Sequence, residues 1–178
     1  TFFDVWLRRS GFPRVAVCLT EDWKQLQLWQ KPFASGHADS SAEGGSAQDN
    51  LWPIPLHVHF LVPSTDGADF AVQKRFLRFE QSSCSVQLPK DTLAVVVNPA
   101  CGGYVHVHYD EGTWALALQA LKLRGLDPLQ ELGLVLQCAL SRHDPGLGAA
   151  AAELSQVRLQ AVLDCLEFAR PEGCACRV

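Results

Sequence analysis

Two short histidine pairs are the residues whose type and spacing could most directly do chemistry. His57 and His59 lie in Leu-His-Val-His-Phe, and His106 and His108 lie in Val-His-Val-His. A His-x-His pair on a β-strand places both imidazoles on one face of the strand. If the two strands were neighbours, the four imidazoles could converge on zinc or copper. The alternative, which we favour, is that they occupy outward positions of half-buried strands, because no carboxylate is evident to orient them.

The hydrolase motifs that would use such groups are missing. The nucleophile elbow G-x-S-x-G is absent, and no histidine is followed by glutamate, so H-E-x-x-H is absent too. No zinc-bound water could then be activated. Asp110 and Glu111 could form a paired-carboxylate acid/base site, but they stand at the start of a predicted helix. We therefore favour a capping role for them.

The tryptophans offer a different kind of chemistry, which is the stacking of a ligand on an aromatic ring. Trp23 and Trp29 fall on the same face of a predicted strand and could form a platform for carbohydrate. The alternative is that they belong to the core between two sheets, where most large aromatic residues are buried. We favour the core interpretation.

These residues depend on a chain whose first two thirds are strand-like. Residues 14–20 and 22–30 predict a hairpin, because apolar and polar residues alternate on both sides of a polar turn. Further strands are predicted at 51–62, 72–79, 86–88, 93–98 and 104–109. With no helices between them, about seven strands predict an antiparallel β-sandwich. Residues 34–50 are small and polar and predict a flexible surface loop.

From Trp114 onward the pattern becomes helical and rich in leucine and alanine. Three helices are predicted at 114–123, 129–140 and 149–168, and Asp127-Pro128 is typical of a helix start. Each helix carries an apolar stripe that we expect to face inward. In the second helix the stripe is Leu129, Leu132, Leu136 and Leu140; in the third it is Leu154, Val157, Ala161 and Cys165, widened by Leu166 and Phe168. The prediction is a β-sandwich over residues 1–112 and an α-helical segment over 113–178.

Composition excludes several classes of function. Of 178 residues, 48% are hydrophobic and 19% are charged, which excludes a disordered chain. A net charge of −4 argues against a nucleic-acid partner, and no apolar run approaches the length of a membrane span. Seven cysteines, the absence of a glycosylation sequon and the lack of a signal-peptide pattern favour an intracellular location. The chain begins with threonine and contains no methionine, so we expect a processed product or a piece of a longer protein.

Four short motifs occur in order between residues 6 and 114. They are Trp6-x-x-Arg9-x-Gly11-Phe12-Pro13-x-Val15-x-Val17, Gln30-Lys31-x-Phe33, Leu51-Trp52-x-Ile54-Pro55-Leu56, and Asn98 followed by Gly103-Tyr104-x-x-Val107-x-Tyr109-Asp110-x-x-x-Trp114. In order and spacing they resemble W-x-x-Q-x-G-[FY]-P-x-[VI]-x-V, Q-x-x-F, L-W-x-I-P-L and N-x-x-x-x-G-Y-[FY]-R-V-N-Y-D-x-x-x-W. Those motifs belong to the post-catalytic β-sandwich of the aminopeptidase N family of zinc metallopeptidases. Among the departures from the pattern, Arg9 replaces Gln, His106 replaces Arg and His108 replaces Asn.

The resemblance implies a spacer that joins a catalytic domain to a helical domain. It implies structural roles for Asn98 as a turn residue, Gly103 as a close approach and Tyr109 as a core aromatic. The same is expected of the other matched residues Trp6, Gly11, Pro13, Trp52, Pro55, Tyr104, Asp110 and Trp114. The family's zinc motif and its G-x-M-E-N motif would lie before residue 1. No catalytic residue and no cofactor are therefore expected in this chain, and zinc only in an upstream catalytic domain.

Two hypotheses of different classes follow from these patterns. In the first, the chain is the non-catalytic C-terminal portion of an aminopeptidase-like protein, and its partner is the upstream catalytic domain. In the second, it is a scaffold or interaction subunit that binds other protein chains in a larger assembly. A third hypothesis is a sandwich that binds glycan through Trp23 and Trp29.

Overall fold

The computed structural model describes residues 2–9, 11–32, 51–65, 69–142 and 156–164. Helix α1 (Phe2–Arg8) is followed by the strands β1 (Pro13–Leu19), β2 (Gln25–Pro32), β3 (Ile54–Val62), β4 (Ala71–Phe79), β5 (Ser83–Gln87), β6 (Ala94–Val97) and β7 (His106–Tyr109). A short 3₁₀ turn, Pro99–Cys101, lies between β6 and β7. Helices α2 (Glu111–Lys122) and α3 (Pro128–Arg142) follow, and residues 156–164 form a further helical segment, α4. The predicted loop 34–50 lies outside the described residues.

The strands form two sheets, in the orders β5-β2-β1-β7 and β4-β3-β6. This confirms the predicted β-sandwich of about seven strands followed by helices. One pair departs from the antiparallel pattern, because β7 runs parallel to β1, with Val107 beside Val15. A parallel pair needs a long connection between its strands. Here that connection includes β2 and the whole second sheet.

Alternation along the strands places the apolar side chains between the two sheets. Val15 and Val17 on β1 and Leu26 and Leu28 on β2 are fully buried from one side. From the other side β3 contributes Ile54, Leu56, Val58 and Phe60. Each such side chain stabilises the fold by about 1.5–3 kcal/mol relative to exposure. The same core continues into α2 and α3, whose buried residues belong to one cluster with the strands.

Helix α3 begins where its capping residues predict. At the start of α3, Asp127 Oδ1 accepts a hydrogen bond from the Gln130 backbone at 2.9 Å, and Gln130 Oε1 accepts one from the Asp127 backbone at 3.3 Å. This reciprocal pair is a capping box. Pro128 occupies the first helical position, as the sequence predicts.

The predicted inward stripe of α3 is wrong. Its four leucines are between 42% and 62% exposed, and these are Leu129, Leu132, Leu136 and Leu140. The buried face carries Gly133, Leu134, Gln137 and Cys138 instead. A Cβ on Gly133 would lie 2.9 Å from the Ala100 backbone nitrogen, so the helix meets the 3₁₀ turn through its glycine. Close backbone contact, rather than leucine content, selects the inward face.

Helix α4 shows the same rotation. Val157, predicted to face inward, is 62% exposed, whereas Arg158 and Val162 are buried. Ala161 is partly buried. The remaining predicted members of that stripe, Leu154, Cys165, Leu166 and Phe168, lie outside the described residues. Arg158 is buried in place of the predicted valine because its guanidinium donates to the Tyr109 carbonyl on β7.

Candidate functional site

The two histidine pairs lie on strands of different sheets. His57 and His59 are on β3, in the three-stranded sheet, and His106 and His108 are on β7, in the four-stranded sheet. The condition for a four-histidine site, two neighbouring strands, is therefore not met. Within the described part of the chain, no group of three or more His, Cys, Asp or Glu side chains could hold a metal ion.

The histidines instead take part in packing. His57 is exposed and stacks on Phe76, with ring centroids 5.0 Å apart. His59 is buried, and its pKa is lowered by burial and then by the positive charge of Lys74 on the paired strand. His106 is fully buried, with Nε2 3.3 Å from the Gln137 carbonyl oxygen. His108 is partly buried on the same strand.

Residues of three of the resemblance motifs meet at one end of the sandwich. Trp6 on α1 donates from Nε1 to the Pro53 carbonyl at 3.0 Å, and its ring lies 4.8 Å from the buried Trp52 ring. The Tyr104 ring lies 6.3 Å from Trp6. Arg9 donates to the Leu51 carbonyl at 2.8 Å and sits 5.2 Å above Trp52. We call Trp6, Arg9, Trp52 and Tyr104 the aromatic cluster.

The short connection between α1 and β1 fixes the entry of the chain into this cluster. Gly11 has φ 85°, a left-handed conformation that glycine adopts without steric cost. Pro13 is buried at the start of β1, opposite Pro32 of β2. A proline at the first residue of a strand costs the sheet no needed donor. Both matched residues therefore act on backbone geometry.

Asn98 organises the turn between β6 and β7. Its backbone is left-handed, with φ 53°, and its buried amide donates to the Gly103 carbonyl at 2.9 Å and the Val105 carbonyl at 3.2 Å. Its Oδ1 accepts from the Gly103 backbone at 2.7 Å. A Cβ on Gly103 would lie 2.7 Å from the Pro55 carbonyl oxygen, so a side chain has no room there. Asn98 therefore holds the turn, and Gly103 allows the close approach of two backbone segments.

Strands β6 and β7 are edge strands, and side chains satisfy their exposed backbone groups. The Tyr109 hydroxyl donates to the Val97 carbonyl at 2.9 Å and accepts from the Val97 backbone at 3.0 Å. Gln137 donates to the Asn98 carbonyl at 3.1 Å and the Val97 carbonyl at 3.4 Å. Arg158 donates to the Tyr109 carbonyl at 2.7 Å. We call Tyr109, Gln137 and Arg158 the edge seam, because they join the sheet edges to α3 and α4.

The electrostatics of the edge seam suit a structural role. Burial raises the pKa of Tyr109 far above its usual range, so its hydroxyl stays neutral and keeps its proton to donate. Burial also raises the pKa of the neighbouring Cys138 thiol to about 12, which leaves it without thiolate character. Arg158 stacks 5.4 Å over Trp114 and has a pKa lowered by burial. None of these groups is poised as a nucleophile.

Asp110 caps α2. Its carboxylate accepts a hydrogen bond from the Thr113 backbone at 2.7 Å, in an extended conformation typical of an N-cap. Glu111 is exposed in the first turn, where its charge complements the helix dipole. The structure therefore uses these carboxylates at a helix start.

The two tryptophans that we assigned to the core lie at the surface, and that interpretation is wrong for both. Trp29 is 37% exposed on β2, on the face opposite Leu26 and Leu28. Trp23 is 58% exposed in the hairpin turn, with φ 57°. It lines a groove of about 450 Å³ with residues 87–92 and Leu116. The alternation of β2 had already placed Trp29 opposite the leucines.

Sequence reasoning missed three residues of the helix contacts, Gly133, Gln137 and Arg158. Each interrupts an otherwise apolar helical pattern. A glycine beside a leucine stripe indicates that another backbone segment can approach closely at that position. A glutamine or arginine there indicates that a buried carbonyl needs a donor. The sequence could not show which backbone carbonyls required donors, because that depends on the two sheet edges.

No protein-family profile matches this chain, and the search of curated proteins returns no significant relative. No helix among the described residues is long and apolar enough to cross a membrane. Function must therefore be argued from the four motifs and from the contacts that their residues make.

Proposed function

We propose that this chain is the non-catalytic portion of an aminopeptidase-N-like zinc metallopeptidase. It comprises the post-catalytic β-sandwich and the start of the helical domain, and it supports those two domains. The observation that carries the proposal is the meeting of the motif residues in space. Trp6 and Trp52 are 46 positions apart in sequence yet pack against each other, and Tyr104 joins them from a third motif.

The chemistry of these residues favours support over catalysis. Trp6 and Arg9 donate to backbone carbonyls, Asn98 and Gly103 fix a turn, and Tyr109 ties two sheet edges together. A spacer must hold a fixed geometry between its neighbours, and each of these contacts fixes backbone. Zinc would belong to a catalytic domain upstream of this chain.

A second candidate is a scaffold or interaction subunit of a larger assembly, and one observation favours it. Four leucines are exposed in a row along α3, and Val157 is exposed on α4. Contiguous apolar surface on a helix face is typical of a protein-protein contact. In the spacer proposal the same surface would contact the remainder of a helical domain.

Intact mass of the native species, with peptide mapping upstream of Thr1, separates the two candidates. The spacer proposal predicts a protein larger than 19.5 kDa with peptides that contain H-E-x-x-H before residue 1. A native amino terminus at Thr1 would overturn it in favour of the scaffold. The isolated chain, supplied with zinc, should release no fluorophore from aminoacyl substrates. Release abolished by a chelator would contradict the non-catalytic role.

A further inference from the structure

The outward face of the four-stranded sheet is unusual in its chemistry. We call this surface the β2 face, and it carries Gln25, Gln27 and Trp29 from β2, Ser83, Ser85 and Gln87 from β5, and Ala16 and Cys18 from β1. All eight side chains are uncharged and at least partly exposed. Protein surfaces are commonly about a quarter to a third charged. The next row of the same face carries Arg14 and Lys31, so the uncharged surface is the strip between Gln25 and Trp29.

Cross-strand register arranges these residues in rows. Trp29 lies between Ala16 and Ser83, and the next row on the same face joins Gln27 to Ser85. Ala16 is small, which leaves one side of the indole uncovered by a large neighbour on β1. Ser85 donates to Gln27 Oε1 at 3.0 Å, which keeps the amide nitrogen of Gln27 available as a donor within the described part of the chain. The rows thus alternate an apolar ring with hydroxyl and amide groups.

The β2 face leads directly into the groove beside Trp23. Gln87 belongs to both, since it pairs with Gln25 and lines the groove. Trp23 holds a left-handed backbone with φ 57°, which is strained for a bulky residue. From Trp29 to Gln25 is four strand residues, or about 14 Å. Two exposed indoles therefore stand at the ends of one continuous polar strip.

We propose that the β2 face and the Trp23 groove bind a linear, neutral oligosaccharide. The face of a sugar ring carries C–H groups that stack on an indole, and its rim carries hydroxyls that pair with amide and hydroxyl side chains. Nucleic acid would require a cationic surface. The charged residues described near the strip lie towards its ends. Arg14 and Lys31 pair in the row beyond Trp29, and Lys24, Lys90 and Asp91 line the groove. At that end the Arg75 guanidinium also donates to the Gln87 carbonyl at 3.2 Å. This role stands independently of the spacer role proposed above.

The test is affinity electrophoresis of the whole chain through gels that contain soluble neutral glucans, mannans or xylans, with heparin as the charged comparison. We expect retardation by at least one neutral polysaccharide, unchanged by added salt. Trp29→Ala should weaken binding by about ten-fold, and Gln27→Ala should weaken it by a smaller factor. Phe76→Ala is the matched control, because Phe76 is an exposed aromatic residue on the other sheet.

Three results would overturn the proposal. They are no retardation by any neutral glycan, an equal loss with Phe76→Ala, or retardation by heparin alone that salt abolishes. Circular dichroism establishes that each variant is folded. If Trp29→Ala does not fold, Gln27→Ala and Trp23→Ala decide the outcome, because both change exposed or partly exposed groups outside the core. Unchanged binding in those two variants would refute the assigned surface.

Discussion

The core between the sheets and the edge seam bury side chains for different reasons. Between the sheets, burial follows alternation, and the buried residues are valines, leucines, isoleucine and phenylalanine. In the edge seam the buried groups are a tyrosine hydroxyl, an amide and a guanidinium, while the leucines of α3 face outward. A strand in a sheet already has its backbone paired, so its buried face needs only apolar volume. A helix that covers a sheet edge also meets backbone carbonyls, and here it supplies hydrogen-bond donors to them.

The core between the sheets should show the largest effect of a single substitution. Phe60 is buried at the centre of β3. Phe60→Ala should lower the free energy of unfolding by about 3–5 kcal/mol, because it removes a large apolar side chain and leaves a cavity. Denaturant unfolding followed by circular dichroism measures this. Phe76 on the neighbouring strand is exposed, so Phe76→Ala should lower the free energy of unfolding by less than about 1 kcal/mol. Equal losses in the two variants would show that Phe60 is not in the core.

The contact of α3 with the 3₁₀ turn should come next. Higher helix propensity alone would make Gly133→Ala more stable by about 1 kcal/mol. The new methyl group, however, would lie 2.9–3.0 Å from the backbone N and Cα atoms of Ala100, which is too close. We expect a net loss of about 1–3 kcal/mol in the free energy of unfolding, as for an overpacked site. Gly112→Ala in α2 is the control. The nearest atom to its new methyl would be a Leu19 side-chain carbon at 3.6 Å, so stability should hold or rise. A stabilising Gly133→Ala would contradict the close contact.

The smallest effect concerns pH. The pKa of His59 is lowered in the folded state from 6.5, first by burial. As pH falls through 6.5, the unfolded chain therefore takes up a proton before the folded chain does, and the free energy of unfolding decreases. Below the folded-state pKa of His59, the folded chain is protonated too, and His59 causes no further decrease in the free energy of unfolding. In His59→Gln, the decrease in the free energy of unfolding between pH 7.5 and 5.5 should become smaller. In the control His57→Gln, at an exposed position of the same strand, the decrease should remain. An identical pH profile in wild type and His59→Gln would refute the assignment.

Most of the fold follows from local patterns in the sequence. Alternation located the strands, and the pair Asp127-Pro128 located the start of α3 within a residue. The parallel pairing of β7 with β1 was missed, because nothing local distinguishes a strand that joins after 86 intervening residues from one that joins its neighbour. Topology of that kind is a property of both sheets together.

Candidate sites were harder to predict than the fold. The histidine pairs were recognisable as pairs, but whether they meet depends on which sheet receives each strand. Trp29 was assigned to the core on residue type, although its own strand placed it opposite two leucines. The leucine stripe of α3 was assigned inward on hydrophobicity alone. Only for α3 does the buried face depend on contacts and hydrogen bonds with neighbouring backbone.

The most direct test of this account exchanges the character of two adjacent residues of α3. Gln137→Leu places an apolar side chain on the buried face and removes one donor each from the Val97 and Asn98 carbonyls. The Val97 carbonyl keeps the Tyr109 hydroxyl, and the Asn98 carbonyl keeps the Cys101 backbone N–H. The lost hydrogen bonds should lower the free energy of unfolding by about 0.5–1.5 kcal/mol. Leu136→Gln, at an exposed position, should change it by less than about 0.5 kcal/mol. A neutral or stabilising Gln137→Leu together with a destabilising Leu136→Gln would show that the leucine face is the buried one.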